Sequence, residues 1–129
     1  MTGALPEEVA RFVLQCIDSV EQLEVLLLLR ESPDTAWSPE AVARQLYSNP
    51  SSIARRLATL QAHQLLTTTD PPSSYRYQPK TPELSATITR LAEMYRERRV
   101  AVITLIASKP IENVRAFSDA FRLRKKDKD

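Results

Sequence analysis

One glycine against nine prolines constrains this chain more than any other feature, because its element boundaries then have to be marked by helix starts and not by glycine turns. Five such starts are legible. Pro6 with Glu7 and Glu8 predicts a first helix over about 5–18, with Val9, Phe12, Val13, Cys16 and Ile17 as one apolar stripe and both acids at the positive end of the helix dipole. Ser19 and Gln22 have capping-box spacing and open a second helix through VEQLEVLLLLRE. Its run Val25–Leu29 is apolar all round, which places it at the centre of the core. Ser38 with Pro39, Asn49 with Pro50, and Thr81 with Pro82 each set a capping side chain before a proline at the first helical position.

The middle of the chain carries the most specific pattern. From Val42 to Leu66 the sequence VARQLYSNPSSIARRLATLQAHQLL reads as a helix, a tight turn and a second helix over about 50–63, with Val42, Ala43, Leu46, Ile53, Leu57 and Leu60 at helical spacing. That is the arrangement of a helix-turn-helix. Beyond Leu66 the period shortens: LTTT and YRYQP flank DPPSS, a turn-forming cluster, and predict a β-hairpin, to which a short segment around Ala36–Ser38 would add a third strand. After Thr81, Leu84, Ile88, Leu91 and Tyr95 give a helical stripe, and with no breaker between RERR and VAVITLIAS the helix is expected to run on to about Ser108. Lys109 and Pro110 would end it, leaving Ile111, Val114, Phe117 and Phe121 as the apolar face of a last helix. The expected architecture is mainly α with a small β-hairpin wing, a single domain over 1–129. Its core spans about 19–80, with the N-terminal helix 5–18 and C-terminal helices 82–123 available for packing or dimerisation.

Composition bounds the function classes. The longest apolar run is far too short to span a bilayer and no secretory pattern opens the chain, which predicts a soluble cytoplasmic protein that makes no use of a membrane. Cys16 is the sole cysteine, so no intramolecular disulfide is possible and no metal site can be built from thiolates alone, and the residue reads as a small buried apolar group. His63 has no Cys, His or acidic partner at ligand spacing, and there is no Gly-rich phosphate loop. No metal, no cofactor and no enzymatic activity are expected. The net charge of +2 conceals a polarity, because residues 1–50 hold three Arg against eight acids while 51–129 hold fifteen Lys or Arg against eight. Basic charge begins where the second helix of the helix-turn-helix begins, which suits a face presented to phosphate.

The element order resembles the winged-helix transcriptional regulators, in particular the multiple-antibiotic-resistance (MarR-like) type, over roughly residues 19–108. Val42 and Ala43 stand where that family places a Leu-Ala pair, Ser51 and Ser52 where its recognition helix starts, and Ile53, Ala54, Arg55, Arg56 and Leu57 match its following run without a gap. Leu57–Leu66, LATLQAHQLL, is similar to the family's exit into the wing. The sequence departs from the pattern at Tyr47, where the turn usually has Gly. Gln64 likewise replaces a Gly that often needs positive φ, and the wing tip DPPSS has an acid and no base.

With Ile53, Leu57 and Leu60 turned to the core, 100° per residue puts Ser51, Arg55, Ala58 and Ala62 opposite, with Ser52 and Thr59 beside them and Arg56 at the flank. Arg55 is the expected base-edge contact, since Arg pairs with guanine O6 and N7 in the major groove. Ser51 and Ser52, with the free amides of the helix start, would hold a phosphate. Arg56, Thr59 and the wing cation Arg76 complete the expected DNA-binding set, whereas Tyr75 and Tyr77 are expected to pack on the core. The resemblance further implies a homodimer built by the first and last helices, through Phe12, Ile17, Ile111, Val114, Phe117 and Phe121. The expected function is therefore a regulator that binds double-stranded DNA. The alternative is a winged-helix protein-interaction module without DNA binding.

Overall fold

A computed structural model of the chain describes residues 5–69 and 74–109. Among these, α1 spans Glu7–Cys16, α2 Val20–Glu31, α3 Pro39–Leu46, α4 Pro50–Ala62, β1 Leu66–Thr69, β2 Ser74–Tyr77, α5 Pro82–Glu97 and α6 Arg99–Ala107. The molecule is thus mainly helical with one small antiparallel hairpin, in which Leu66 faces Tyr77 and Thr69 faces Ser74. The predicted last helix, with Ile111, Val114, Phe117 and Phe121, and the wing tip at 70–73 lie outside the described residues.

All five starts act as the sequence foretells. Ser19, Ser38, Asn49 and Thr81 each accept a hydrogen bond from a first-turn amide of α2, α3, α4 and α5, while Pro6 precedes α1 without a side-chain cap. Gln22 forms only half of the expected capping box: its backbone amide donates to Ser19 Oγ at 3.1 Å, but its side chain turns away from the Ser19 amide. Gln22 is fully buried, its Nε2 donates to the Cys16 carbonyl at 2.7 Å, and its Oε1 accepts from the Asp18 amide at 3.1 Å, so one amide side chain ties the end of α1 to the start of α2. Lys109 fastens the same corner, its Nζ donating to the carbonyls of Ile17 at 2.6 Å and Val13 at 3.3 Å, where a cation suits the negative helix end.

Leu23, Val25, Leu26 and Leu29 of α2 are fully buried and belong to the same cluster as Val9 and Val13 of α1, Ile53, Leu57 and Leu60 of α4, and Ile88 and Leu91 of α5. Leu27 and Leu28 are half-buried, so the α2 run is central without being covered on every side. α4 packs against both α2 and α3, and α1 against α5 and α6. Each fully buried aliphatic side chain contributes about 1.5–3 kcal/mol from the area it removes from water, so α4 is held down chiefly by its three core residues. Leu84, Tyr75 and Tyr77 are half-buried against the cluster, in keeping with the core role expected of the two tyrosines.

Two expectations are corrected. The long helix from Pro82 does not continue to Ser108: it ends at Glu97, and Arg98, at φ −134° and ψ 53°, turns the chain into α6. The break lets Val102 and Ile106 bury in the core beside α1, where a straight continuation would have carried an almost wholly apolar segment past the domain. The third strand contracts to one residue: Trp37 exchanges two backbone hydrogen bonds with Tyr75, at 2.7 and 2.8 Å, and no ladder extends from them.

Candidate nucleic-acid interface

The outward side of α4 is where the 100° rule places it: Ser51, Arg55, Ala58 and Ala62 are exposed, while Ile53, Leu57 and Leu60 are fully buried. Arg55 has no ion-pair or hydrogen-bond partner among the described residues, and its side chain stands between small neighbours. A face of Ser, Ala and Arg permits close approach of a broad surface, and its one uncommitted guanidinium carries a fork of donors.

Both ends of α4 use backbone geometry that favours glycine elsewhere. Tyr47 closes α3 at φ 55° and ψ 50°, with the Ser48 amide donating to the Ala43 carbonyl at 2.9 Å. Gln64 follows α4 at φ 66°, and the Gln64 and Leu65 amides donate to Gln61 and Leu60 at 2.9 and 3.1 Å. The paired bonds at Gln64 are those of a Schellman motif, with Leu65 and Leu60 both buried beneath it. The positive φ foreseen for Gln64 is therefore present. Tyr47 is 97% exposed, an aromatic ring in a left-handed turn immediately before α4. Sequence pattern marks Tyr47 as a departure from glycine; its exposed ring is a second signal, since an aromatic residue in a polar turn is itself legible.

The predicted phosphate site is occupied from within. Asn49 Oδ1 accepts from the Ser51 and Ser52 amides at 2.7 and 3.3 Å, so those helix-start donors are already satisfied. Glu21, in the first turn of α2, takes the remaining groups: its carboxylate accepts from the Ser48 hydroxyl, from the Ser52 hydroxyl at 2.5 Å and from Arg56 Nε at 3.0 Å. Ser52 and Arg56, expected to face DNA, are thus turned onto the protein's own acid. Burial pushes the Glu21 carboxyl up, but the hydrogen bonds from Ser48, Ser52 and Arg56 and the Arg56 charge outweigh it and hold the group below the ordinary carboxylate range.

Of the remaining expected contacts, Thr59 is half-buried beside the exposed face, and Arg76 on β2 reaches Gln78 Oε1 at 3.5 Å. The structure brings Ser51, Arg55 and Thr59 together on α4 and leaves Arg76 on the hairpin. His63 caps the end of α4, half-buried. Phe12 and Ile17, assigned to a partner interface, are instead 5% and 0% exposed inside the chain's own core, because the α1 stripe is consumed by α5 and α6. Cys16 is half-buried beside that core, and burial raises its thiol pKa, which keeps it protonated and unreactive.

Among the described residues no helix is long and apolar enough to cross a membrane. Compared with known proteins, the chain matches no family model, no curated protein and no solved structure.

Proposed function

We propose that the chain is a winged-helix DNA-binding regulator of MarR-like design, which reads the major groove with α4 and acts as a homodimer. The single observation that carries this reading is the exposed Ser51–Arg55–Ala58–Ala62 face, with an unpaired Arg at its centre and an apolar opposite side locked into the core. Arg55 makes the base-edge contact, Ser51 and Thr59 flank it, and Arg76 meets the backbone from the hairpin. Tyr47 joins the set from the turn, where its exposed phenol can donate to a backbone phosphate. A two-fold dimer would set two copies of α4 about 34 Å apart, one turn of duplex.

A second reading, a protein-interaction module of the same fold, is favoured by the Glu21 cluster. By claiming Ser52 and Arg56 it leaves the α4 face with one available cation, few for an element that must neutralise phosphates. Selection from a random duplex pool separates the two. A regulator enriches a motif with guanine at a fixed position, while an interaction module returns an unenriched pool.

A further inference from the structure

Between the C-terminal part of α2 and the end of α5 lies an open cleft of about 280 Å³, lined by the apolar surfaces of Leu27, Ala92 and Tyr95, by the guanidinium-bearing Arg30, Arg96 and Arg99, and by Glu31. Arg99 is committed. It sits 4.4 Å over the Tyr95 ring, donates to the Tyr95 hydroxyl at 3.1 Å and lies 3.7 Å from Glu24, whose carboxylate also accepts from that hydroxyl. Arg30 is steadied by a neutral group, donating to Thr89 Oγ1 at 3.1 Å. Neither Arg30 nor Arg96 forms an ion pair among the described residues, and neither does Glu31.

Arg30 and Arg96, neither of them ion-paired among the described residues, outnumber Glu31, the one carboxylate in the lining, and lie beside apolar and aromatic surface; such a cleft is matched by an oxyanion carried on an apolar body, because the planar fork takes a carboxylate bidentately. Size and setting decide what carries it. At about 280 Å³ the cleft is near the lower end for sites that enclose a small ligand, but such sites cover most of the ligand whereas this one is open, which suits one or two side chains presented by a partner. Arg98 and Val100, which flank Arg99 in sequence, are both exposed, Val100 at 77%. Arg and Tyr around an apolar centre is the composition that protein interfaces concentrate.

We infer that this cleft is a docking site for a partner protein, which inserts an Asp or Glu side chain lying next to an apolar one on an exposed segment. The site is independent of the DNA reading. Along α2, Arg30 lies roughly 13 Å from Glu21 at 1.5 Å per residue, so the cleft is displaced from the start of α4 and both surfaces can be used together.

The probe is a fluorescein-labelled peptide of about ten residues built from Glu-Leu pairs, titrated with the full chain and followed by anisotropy, with a Gln-for-Glu peptide as control. The Glu peptide should bind at least about tenfold tighter than its control and lose at least about fivefold on Arg96→Ala, with a larger loss on adding Arg30→Gln. In the wild type it should shift the amide resonances of Ala92 and Arg96. Equal affinity for the two peptides, or binding unchanged by Arg96→Ala, overturns the proposal. So does benzoate shifting the same resonances while the peptide leaves them in place, which makes the cleft a small-acid site. Full displacement of the peptide by duplex DNA also overturns it, because the cleft is then part of a nucleic-acid surface. Arg96 is exposed, so its variant keeps the fold, and if the double variant does not, the wild-type resonances decide.

Discussion

Two polar side chains, Gln22 and Glu21, do more to join this fold together than their place on one helix turn suggests. Gln22 is fully buried and satisfied at both ends of its amide, so Gln22→Leu keeps its bulk and orphans the Asp18 amide and the Cys16 carbonyl. The expected loss is about 1–3 kcal/mol for each orphaned group, read as a lower urea midpoint at unchanged m. Glu21 has its carboxyl pKa depressed in the folded state. Its contribution is therefore present above the unfolded value of about 4.3 and lost as the pH falls through the lower folded value. Glu21→Gln should be less stable than wild type at pH 7, and its urea midpoint should fall less steeply on acidification below about pH 4.3. A variant whose acid slope equals that of wild type would show that Glu21 is not held as described. Which residues face outward on α4 was legible from periodicity alone; the Glu21 contacts were not. They join residues 27, 31 and 35 apart in sequence, and helical spacing says nothing about which polar groups meet across two helices.

At the scale of elements, the five helix starts were legible because each is written locally, four as a capping side chain, followed in three instances by proline, and the first as Pro6 before two acids. The break at Arg98 was not, because no Gly or Pro marks it; it is imposed by the burial of Val102 and Ile106 beside α1. The corner is held by Arg99 reaching back to Tyr95 and Glu24, contacts that join three helices. The left-handed positions at either end of α4 make a prediction that separates stability from function. Gln64→Gly and Tyr47→Gly each remove a Cβ from a positive-φ site and should each stabilise the protein by about 0.5–1 kcal/mol, raising its melting temperature. Only Tyr47→Gly should also weaken duplex binding, since it alone deletes an exposed ring at the turn. If both variants bind DNA equally well, Tyr47 has no part in the interface.

In the whole molecule, charge polarity divides into two surfaces. The basic half of the sequence supplies the α4 face around Arg55 and, with Arg30 from the acidic half, the cleft around Arg96 and Arg99, while two acids of the acidic half are paired across helices, Glu21 with Arg56 and Glu24 with Arg99. Net charge along the chain pointed to a basic face; it could not tell which cations stay available, because neutralisation is decided by contacts between helices distant in sequence. The dimer surface assigned to Phe12 and Ile17 was misread for a related reason: an apolar stripe shows that a face is covered, not by which element.

The difference between Arg55 and Arg56 gives the most direct measurement. Anisotropy titrations of a selected duplex at two salt concentrations should show wild type binding with strong salt dependence. Arg55→Ala should lose about 1–3 kcal/mol in a sequence-dependent way, while Arg56→Ala should retain duplex affinity and instead lower the urea midpoint by releasing Glu21. Duplex binding unaffected by Arg55→Ala, or absent in wild type at low salt, would contradict the reading of α4 as the DNA-contacting helix.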